Sequence, residues 1–315
     1  MNKFSKIISF LPSATEILFE IGLGDYVFGV THECNYPTEV MKIPKVIRPI
    51  IDFDLLSAVE VDSKIKELSA KRVPIFKIDE KLIKEIQPDL LLSQDLCSVC
   101  APFDNEIKKT FEILGYRPEN IVINPKNLRD ILESVTFIGT EIGNLECAVE
   151  LRNNLTNRIT NINEVIQSLF LNDINNIPER VICLDWINPF YLAGHWIPDM
   201  LLTAGSYSLN GFSGMTSREI SLREIEKLNP DKIIIAPCGY DLKRAHEEYV
   251  YLTDPTWKAL KAYKENQIYL VDSDSYFSKP SSRIITGIEI LCHILHPDLF
   301  SHIKVPDNSF VKHSV

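Results

Sequence analysis

The chain has 315 residues, of which 45% are hydrophobic and 24% are charged, and it carries a net charge of −10. This composition is typical of a soluble globular protein with about two domains. The acidic balance argues against a nucleic acid or an anionic membrane surface as a partner. No apolar run approaches the ~18 residues of a membrane span, so we expect no membrane insertion.

The start of the chain predicts a strand, a short helix and a second strand. Residues 7–11 form a short apolar run, as a buried parallel strand requires. Pro12 ends that strand, and Ser13 with Glu16 three residues later predicts a capping box at the helix start. Residues 26–30 resume a strand. These elements predict the opening of a parallel α/β sheet.

Two loops of this stretch leave the carboxyl ends of predicted strands, where parallel α/β folds bind ligands. One loop begins the first helix, and the other follows the second strand with polar and sulfur-bearing side chains. Helix capping alone is the alternative explanation for the serine of the first loop. The candidate ligand-binding residues of the two loops are Pro12, Ser13, His32, Glu33 and Cys34.

Strands and helices continue to alternate as far as residue 126, where the pattern changes. Residues 127–170 show no strand signal, and the helix that resumes after Gly143 spans roughly 40 Å at 1.5 Å per residue. Such a helix suits a rigid connection between two lobes. We predict an N-terminal α/β lobe over residues 1–126, a helical linker over 127–176 and a C-terminal α/β lobe over 177–315.

An internal repeat supports two similar lobes. The segment LIKEIQPDLLLSQDLC ends at Cys97, and the segment EIEKLNPDKIIIAPC ends at Cys238. Both predict a helix, a Pro-Asp turn, a buried strand and a cysteine-bearing loop. The sequence therefore predicts an α/β protein with two Rossmann-like lobes, each built on a parallel sheet.

Aromatic residues in the predicted loops of the second lobe offer flat apolar walls to a ligand. His195 follows Gly194 and can ligate a metal centre or form a hydrogen bond to the ligand. Core packing is the alternative explanation for Trp196, Tyr276 and Phe277. The candidate ligand-binding residues of this lobe are Trp186, His195, Trp196, Cys238, Gly239, Tyr240, Tyr276 and Phe277.

Four residues of the first lobe form a candidate metal site: His32, Cys34, Cys97 and Cys100. Thiolate and imidazole groups suit zinc, copper(I) or iron, and either group can cap the cobalt of a corrinoid. A Cys-x-x-Cys pair near a helix start also suits reversible dithiol chemistry. The third interpretation is that Cys34 and Cys97 only line an apolar cleft.

The sequence carries few signatures of known enzymes. The sequence has no Gly-x-Ser-x-Gly, no phosphate-binding P-loop, no Gly-x-Gly-x-x-Gly and no His-Glu-x-x-His. The His-Glu-Cys loop lacks the Pro-Cys-x-x-Cys partner that a zinc deaminase needs. We expect a protein that binds its ligand without turnover.

The chain resembles the substrate-binding proteins of vitamin B12 and ferric-siderophore ABC importers, in particular a cobalamin-binding branch that often lacks a signal peptide. The resembling stretches cover nearly the whole chain in order. They include SFLPSATEILFEIGLG, GVTHECNYP, LIKEIQPDLLL, AGHWIPDMLLTAG, IEKLNPDKIII and YFSKPSSRIITGIEILCHILHP. The resemblance implies the class III fold of periplasmic binding proteins, with a long helix between the lobes. It also implies a ligand clasped between them by loops at the strand ends.

The resemblance further implies an ABC permease as a possible partner, contacted by one surface acidic residue from each lobe. Glu106 and Glu224 are the nearest candidates for these contacts. Because no signal segment is evident at the start of this sequence, we expect a cytoplasmic location, with export as the alternative if an upstream segment is missing. We expect a monomer.

The sequence thus predicts non-catalytic binding of a corrinoid, similar to cobalamin, or of a related metal chelate. The alternative is a cytosolic metal-thiolate or redox protein that holds zinc or iron through His32, Cys34, Cys97 and Cys100. Uptake of a siderophore is a third possibility, and it requires export.

Overall fold

The computed structural model describes residues 3–94, 103–172 and 176–314, and these form two units, each built on one β-sheet. The first unit comprises Met1–Pro125 and Arg129–Asn154, and the second comprises Lys126–Leu128 and Leu155–Val315. The division between the units lies inside the long helix predicted as a linker. The predicted domain limits at residues 126 and 176 therefore stay predictions.

The described part of the first unit alternates strands and helices. Its strands are β1 (Ile7–Ser9), β2 (Val27–Thr31), β3 (Lys45–Pro49), β4 (Phe76–Ile78), β5 (Leu90–Ser93) and β6 (Glu119–Val122). Its helices are α1 (Pro12–Glu20), α2 (Ala58–Ala70), α3 (Glu80–Ile86), α4 (Phe103–Leu114) and α5 (Leu128–Ile142), and α6 (Leu145–Asn172) continues into the second unit.

The sheet of the first unit has the strand order β4-β3-β2-β1-β5-β6. All neighbours pair in parallel except β3 and β4, which are antiparallel. The strand order reverses direction at β1, between β2 and β5. In open α/β sheets, ligands bind in the crevice at the carboxyl ends of the strands beside such a reversal.

Helix α1 begins earlier than the sequence predicts. Its N-cap is Leu11, whose side chain makes no capping bond, and Pro12 occupies the first helical turn. Proline favours this position because its fixed φ is already helical and the N–H it lacks would have no partner in the helix. The predicted capping box of Ser13 and Glu16 is therefore wrong, since both residues lie inside the helix and are buried.

Strand β3 was not predicted. Pro44 immediately precedes it and Pro49 ends it. The strand forms because the backbone groups between those prolines are free to pair. One example is the Ile47 carbonyl, which accepts a hydrogen bond from the His32 amide (3.1 Å).

The described part of the second unit repeats the pattern. Its strands are β7 (Arg180–Trp186), β8 (Tyr191–Leu192), β9 (Tyr207–Ser208), β10 (Arg218–Glu219), β11 (Lys232–Ile235), β12 (Ile268–Val271) and β13 (Phe310–Lys312). Its helices are α7 (Ile197–Thr203), α8 (Leu222–Leu228), α9 (Leu242–Tyr249), α10 (Pro255–Ala259), α11 (Lys261–Lys264), α12 (Ser273–Tyr276) and α13 (Ile284–Leu295).

The second sheet has the order β10-β8-β7-β11-β12-β13, with β9 paired to β7. Strands β7, β11 and β12 pair in parallel, whereas β8, β10 and β13 pair with antiparallel neighbours. The sheet is thus parallel at its centre, as predicted, and antiparallel at its edges. Strands β11 and β12 are fully buried, as the Ile233–Ile235 run requires, and β7 is buried from Val181 to Leu184.

The two Pro-Asp turns of the internal repeat have the same construction. Gln87 ends α3 and Asn229 ends α8, each in the left-handed conformation, with φ of +50° and +44°. The aspartate that follows each turn then accepts a hydrogen bond from the start of a neighbouring strand. Asp89 accepts from the Lys6 amide (2.9 Å), and Asp231 accepts from the Arg180 amide (2.8 Å). This likeness between the two halves was predicted from the sequence.

Candidate functional site

The three parallel strands of the second unit end in loops that are hydrogen-bonded to one another. The Cys238 amide, after β11, donates to the Asp185 carbonyl near the end of β7 (2.9 Å). The Tyr240 carbonyl accepts from the amides of Ser273 and Asp274, which follow β12 (3.0 and 2.9 Å). These bonds join the three loops into one frame at the carboxyl edge of the sheet.

Two aromatic residues meet across this frame. The ring centroids of Trp186 and Tyr240 lie 5.1 Å apart in an edge-on arrangement, and the Arg244 guanidinium lies 4.0 Å above the Tyr240 ring. Tyr240 is buried, whereas Trp186 is partly exposed. Tyr240 therefore supports the indole of Trp186 and offers little of its own ring to a ligand.

The start of α7 is tied to the loop after β12. The Trp196 indole donates to the Phe277 carbonyl (2.8 Å), and both side chains are buried. Burial agrees with the core-packing explanation for these two residues. His195 and Tyr276 are partly exposed, so their rings remain accessible at this edge. His195 has a φ of +53°, which turns the chain sharply before the helix.

Cys238 and Gly239 form the exposed tip of the loop after β11. Gly239 has a φ of +75°, which favours glycine, and its amide donates to the Ser278 hydroxyl (3.0 Å). The tip is thus held in place, with its backbone open to close approach.

A buried carboxyl group lies beneath this frame. Desolvation raises the pKa of Asp185 to about 6, although the hydrogen bond that the Ser217 hydroxyl donates to it lowers the pKa. The Ser217 hydroxyl also accepts a bond from the Gly194 amide (3.1 Å). Through the Ser217 hydroxyl, Asp185 therefore helps to position Gly194, the residue before His195.

In the first unit, the loop after β2 holds a buried thiol. The Cys34 sulfur lies 3.4 Å from the Thr15 hydroxyl and 3.3 Å from the Thr31 hydroxyl. Burial raises the pKa of the Cys34 thiol, although these hydrogen bonds oppose the shift. The group is therefore a neutral thiol at pH 7, and metal ligation would require a deprotonated sulfur. These contacts favour a structural role for Cys34 over the predicted role of ligand.

His32 is the accessible member of the same loop. Its ring centroid lies 5.6 Å from that of Phe76, and its Nε2 lies 3.9 Å from the exposed Glu33 carboxylate. Desolvation by burial lowers the pKa of His32, although Glu33 and Asp54 oppose the shift. His32 is thus a neutral imidazole at pH 7, in the form that can ligate a metal centre.

The loop between β1 and α1 exposes less side-chain surface than the sequence predicts. Pro12 and Ser13 are both buried within the first turn of the helix. A ligand can meet this segment only through its backbone.

The predicted metal site is not assembled in the described residues. Across residues 3–94, 103–172 and 176–314, no three His, Cys, Asp or Glu side chains come together as a metal ion requires. Cys97 and Cys100 lie outside those residues. Of the two described members of the predicted set, Cys34 is hydrogen-bonded to two threonine hydroxyls and His32 has an accessible imidazole.

Phe212 and Met215 belong to a loop whose backbone is hydrogen-bonded to His195, and both were missed from the sequence. They belong to the 211–217 loop, which connects β9 to β10. The His195 amide donates to the Met215 carbonyl (2.6 Å), which brings this loop to the same edge of the second unit. The signal in the sequence was that each of these apolar residues directly follows a glycine, Phe212 after Gly211 and Met215 after Gly214.

A comparison with known protein families identifies the family of this chain. The profile named Periplasmic binding protein matches residues 7–275. The chain belongs to this family. Its members are solute-binding proteins, which agrees with the expectation of binding without turnover. The resemblance inferred from the sequence is confirmed.

Relatives of this periplasmic binding protein match it over most of its length. An uncharacterized ABC transporter substrate-binding lipoprotein, YvrC of Bacillus subtilis, is 25% identical over 94% of this chain and 81% of its own. A vitamin B12-binding protein of Vibrio cholerae is 20% identical over 92% of this chain and 88% of its own.

A solved structure has the same fold. The periplasmic heme-binding protein of Pseudomonas aeruginosa superimposes with a TM-score of 0.72 at 15% identity, covering 99% of both chains. This likeness confirms the predicted fold class, the class III type of periplasmic binding protein.

The predicted cytoplasmic location is wrong. The family is periplasmic and one relative is a lipoprotein, so both point to a location outside the cytoplasm. The prediction rested on the first residues of the sequence, and the start of a sequence does not exclude a segment before it. No helix in the described ranges is long and apolar enough to cross a membrane.

The two acidic residues expected to contact a permease differ in their exposure to solvent. Glu106 is only 4% exposed, so it is not the surface contact that was expected. Glu224 is exposed, and its carboxylate accepts from the amide and hydroxyl of Ser221 in the capping box of α8 (2.9 and 2.8 Å). Only Glu224 remains available for such a contact.

Proposed function

We propose that this protein binds a corrinoid, similar to cobalamin, or a related metal chelate, and presents it to the permease of an ABC importer. The observation that carries the proposal is the hydrogen-bonded frame of three strand-end loops in the second unit. The frame positions Trp186 and Tyr276, and the bond from the Trp196 indole to the Phe277 carbonyl ties the neighbouring His195 to it; all three residues are partly exposed. Preorganised aromatic side chains bind a flat ligand at a low cost in conformational entropy.

The first unit carries candidate ligand-binding groups at the carboxyl edge of its own sheet. His32 is a neutral imidazole beside an aromatic ring, in the form that can ligate the metal centre of a chelate. Glu33 and the backbone at Pro12 lie on loops from neighbouring strands, β2 and β1. The names of the relatives support a ligand of this class, because one binds vitamin B12 and another binds heme.

The alternative of a metal-thiolate or redox protein has less support. Of the four residues predicted for that function, the structure describes His32 and Cys34, and Cys34 is a buried thiol with two hydroxyl partners.

The test is a titration of the purified protein with cobalamin and with dicyanocobinamide, followed by absorbance and by calorimetry. We expect a saturable spectral shift and heat of binding with at least one of them. The variant His32→Ala should weaken binding about ten-fold if its imidazole meets the metal centre, a change of about 1.4 kcal/mol. No spectral shift and no heat with either compound would refute a corrinoid ligand.

A further inference from the structure

The 211–217 loop is fastened to the start of α7 by three hydrogen bonds. The His195 amide donates to the Met215 carbonyl (2.6 Å), and the Gly214 amide donates to the His195 carbonyl (2.9 Å). The Ser213 hydroxyl donates to the Asp199 carboxylate (2.7 Å). The loop thus has a defined position beside His195.

Close packing fixes the same loop from the other side. A Cβ atom added to Gly194 would lie 2.2 Å from the Met215 carbonyl oxygen and 2.7 Å from the Ser217 amide. Only glycine allows this approach of two backbones. The Ser217 hydroxyl then joins Gly194 to the buried Asp185 carboxyl.

Two apolar side chains of this fastened loop are directed into solvent. Phe212 is 83% exposed and Met215 is 60% exposed. Leaving a large apolar side chain in water forgoes roughly 1.5–3 kcal/mol that burial would supply. A held loop that exposes such side chains beside a site is suited to contact with a ligand.

The chemistry of the two side chains narrows the ligand class. An aromatic ring and a thioether both favour polarisable, apolar surfaces over charged or strongly hydrated ones. Two arginines of the same edge already lie over aromatic rings, Arg244 over Tyr240 and Arg283 over Tyr276. The Phe212 and Met215 side chains are, by their own chemistry, better matched to the face of a macrocycle than to a siderophore with a polar periphery.

We propose that Phe212 and Met215 contact the apolar face of a metal-bearing macrocycle and select it over hydroxamate siderophores. This inference rests on the proposed function and adds to it two specificity-determining residues. Two backbone hydrogen bonds join the loop to His195, a candidate ligand-binding residue. We therefore expect the molecule that contacts Phe212 and Met215 to be the ligand of that site.

The test compares Phe212→Ala with Tyr207→Ala in the same unit. Tyr207 is an aromatic residue with 59% exposure, but it pairs with Arg180, at the opposite end of β7. Dissociation constants are measured for dicyanocobinamide, hemin and ferric ferrichrome, with thermal unfolding as a check of folding. Phe212→Ala should weaken binding of the preferred macrocycle about ten-fold or more. Tyr207→Ala should leave it within about two-fold.

The outcomes distinguish failure of the proposed contact from failure of the proposed function. If the wild type binds a macrocycle and both variants bind it equally, the contact is refuted while the proposed function stands. If the wild type binds ferrichrome as tightly as either macrocycle, the selectivity is refuted. If the wild type binds none of the three probes, the proposed function fails, and this inference fails with it.

Discussion

The carboxyl edges of the two sheets differ in how they hold their polar groups. In the first unit, the central group at the edge is the Cys34 thiol, which is buried between two threonine hydroxyls. In the second unit, three loops are bonded to one another through backbone amides, and Trp186, His195 and Phe212 remain partly or largely exposed. Both edges lie at the carboxyl ends of parallel central strands, but their chemistry differs.

This difference indicates a division of roles. The frame of the second unit fixes several exposed side chains at once, as a selective contact surface requires. Among the described residues at the edge of the first unit, His32 offers an accessible imidazole and Cys34 is a buried thiol. We infer that the edge of the second unit is the more selective contact surface.

The largest effect on this comparison should come from Gly194→Ala. The added methyl group would overlap the backbone of residues 215–217, so the loop must move away from His195. We expect a loss of about 3 kcal/mol in the free energy of unfolding, together with weaker ligand binding, measured by chemical unfolding and by titration.

Gly211→Ala is the matched control for that variant. Nothing lies within 4 Å of a Cβ at Gly211, and its φ of +92° gives the only expected penalty, about 1 kcal/mol. Equal losses for the two variants would contradict the close approach at Gly194.

The next largest effect compares one buried carboxyl group from each unit. Desolvation raises the pKa of Glu106 to about 7, and one of its carboxylate oxygens has no donor among the described residues. Asp185 has a pKa of about 6 and receives the Ser217 hydroxyl. We expect Glu106→Gln to raise the free energy of unfolding by about 2 kcal/mol at pH 8, and Asp185→Asn to raise it by about 1 kcal/mol or less.

The pH dependence checks the sign of that effect. A raised pKa means that the folded state keeps a proton which the unfolded chain has already lost. The wild type therefore loses stability as the pH rises from about 4.5 to about 7. The gain from Glu106→Gln should be absent at pH 4 and complete at pH 8, and a gain of equal size at both values would contradict the account.

The smallest effect concerns the cysteine of each edge. Cys238 is exposed, and Cys34 is buried with a raised pKa, so only Cys238 should react readily with iodoacetamide. We expect labelling of Cys34 in the folded protein at pH 8 to be about 100-fold slower, measured by mass spectrometry of the two peptides. The same protein unfolded in guanidinium chloride is the control, in which the rates should converge. Similar rates in the folded protein would place Cys34 at the surface.

Much of the fold was predictable because its signals are local. Apolar runs gave the central strands, and the repeated Pro-Asp turns gave the likeness of the two halves. Those turns depend on residues next to each other in sequence, such as Gln87, Pro88 and Asp89. The long helix followed from the lack of any strand signal near it.

The features that were not predicted depend on contacts between residues distant in sequence, or on two local preferences that compete. Pro12 displaced the helix start from Ser13 because proline is favoured in the first turn. The exposure of Phe212 was not predictable, since it depends on the loop being bonded to His195, 17 residues earlier. The burial of Cys34 was not predictable either, because it depends on contacts with Thr31 and with Thr15, 19 residues earlier.

The central claim is that this periplasmic binding protein holds one metal-bearing macrocycle. The most direct measurement is gel filtration of the protein mixed with excess dicyanocobinamide or hemin, with the ligand in the protein peak quantified by absorbance. The account predicts about one ligand per chain for at least one of the two compounds, and a reduced amount with Phe212→Ala. A protein peak free of both compounds, from wild-type protein that unfolds cooperatively, would contradict it.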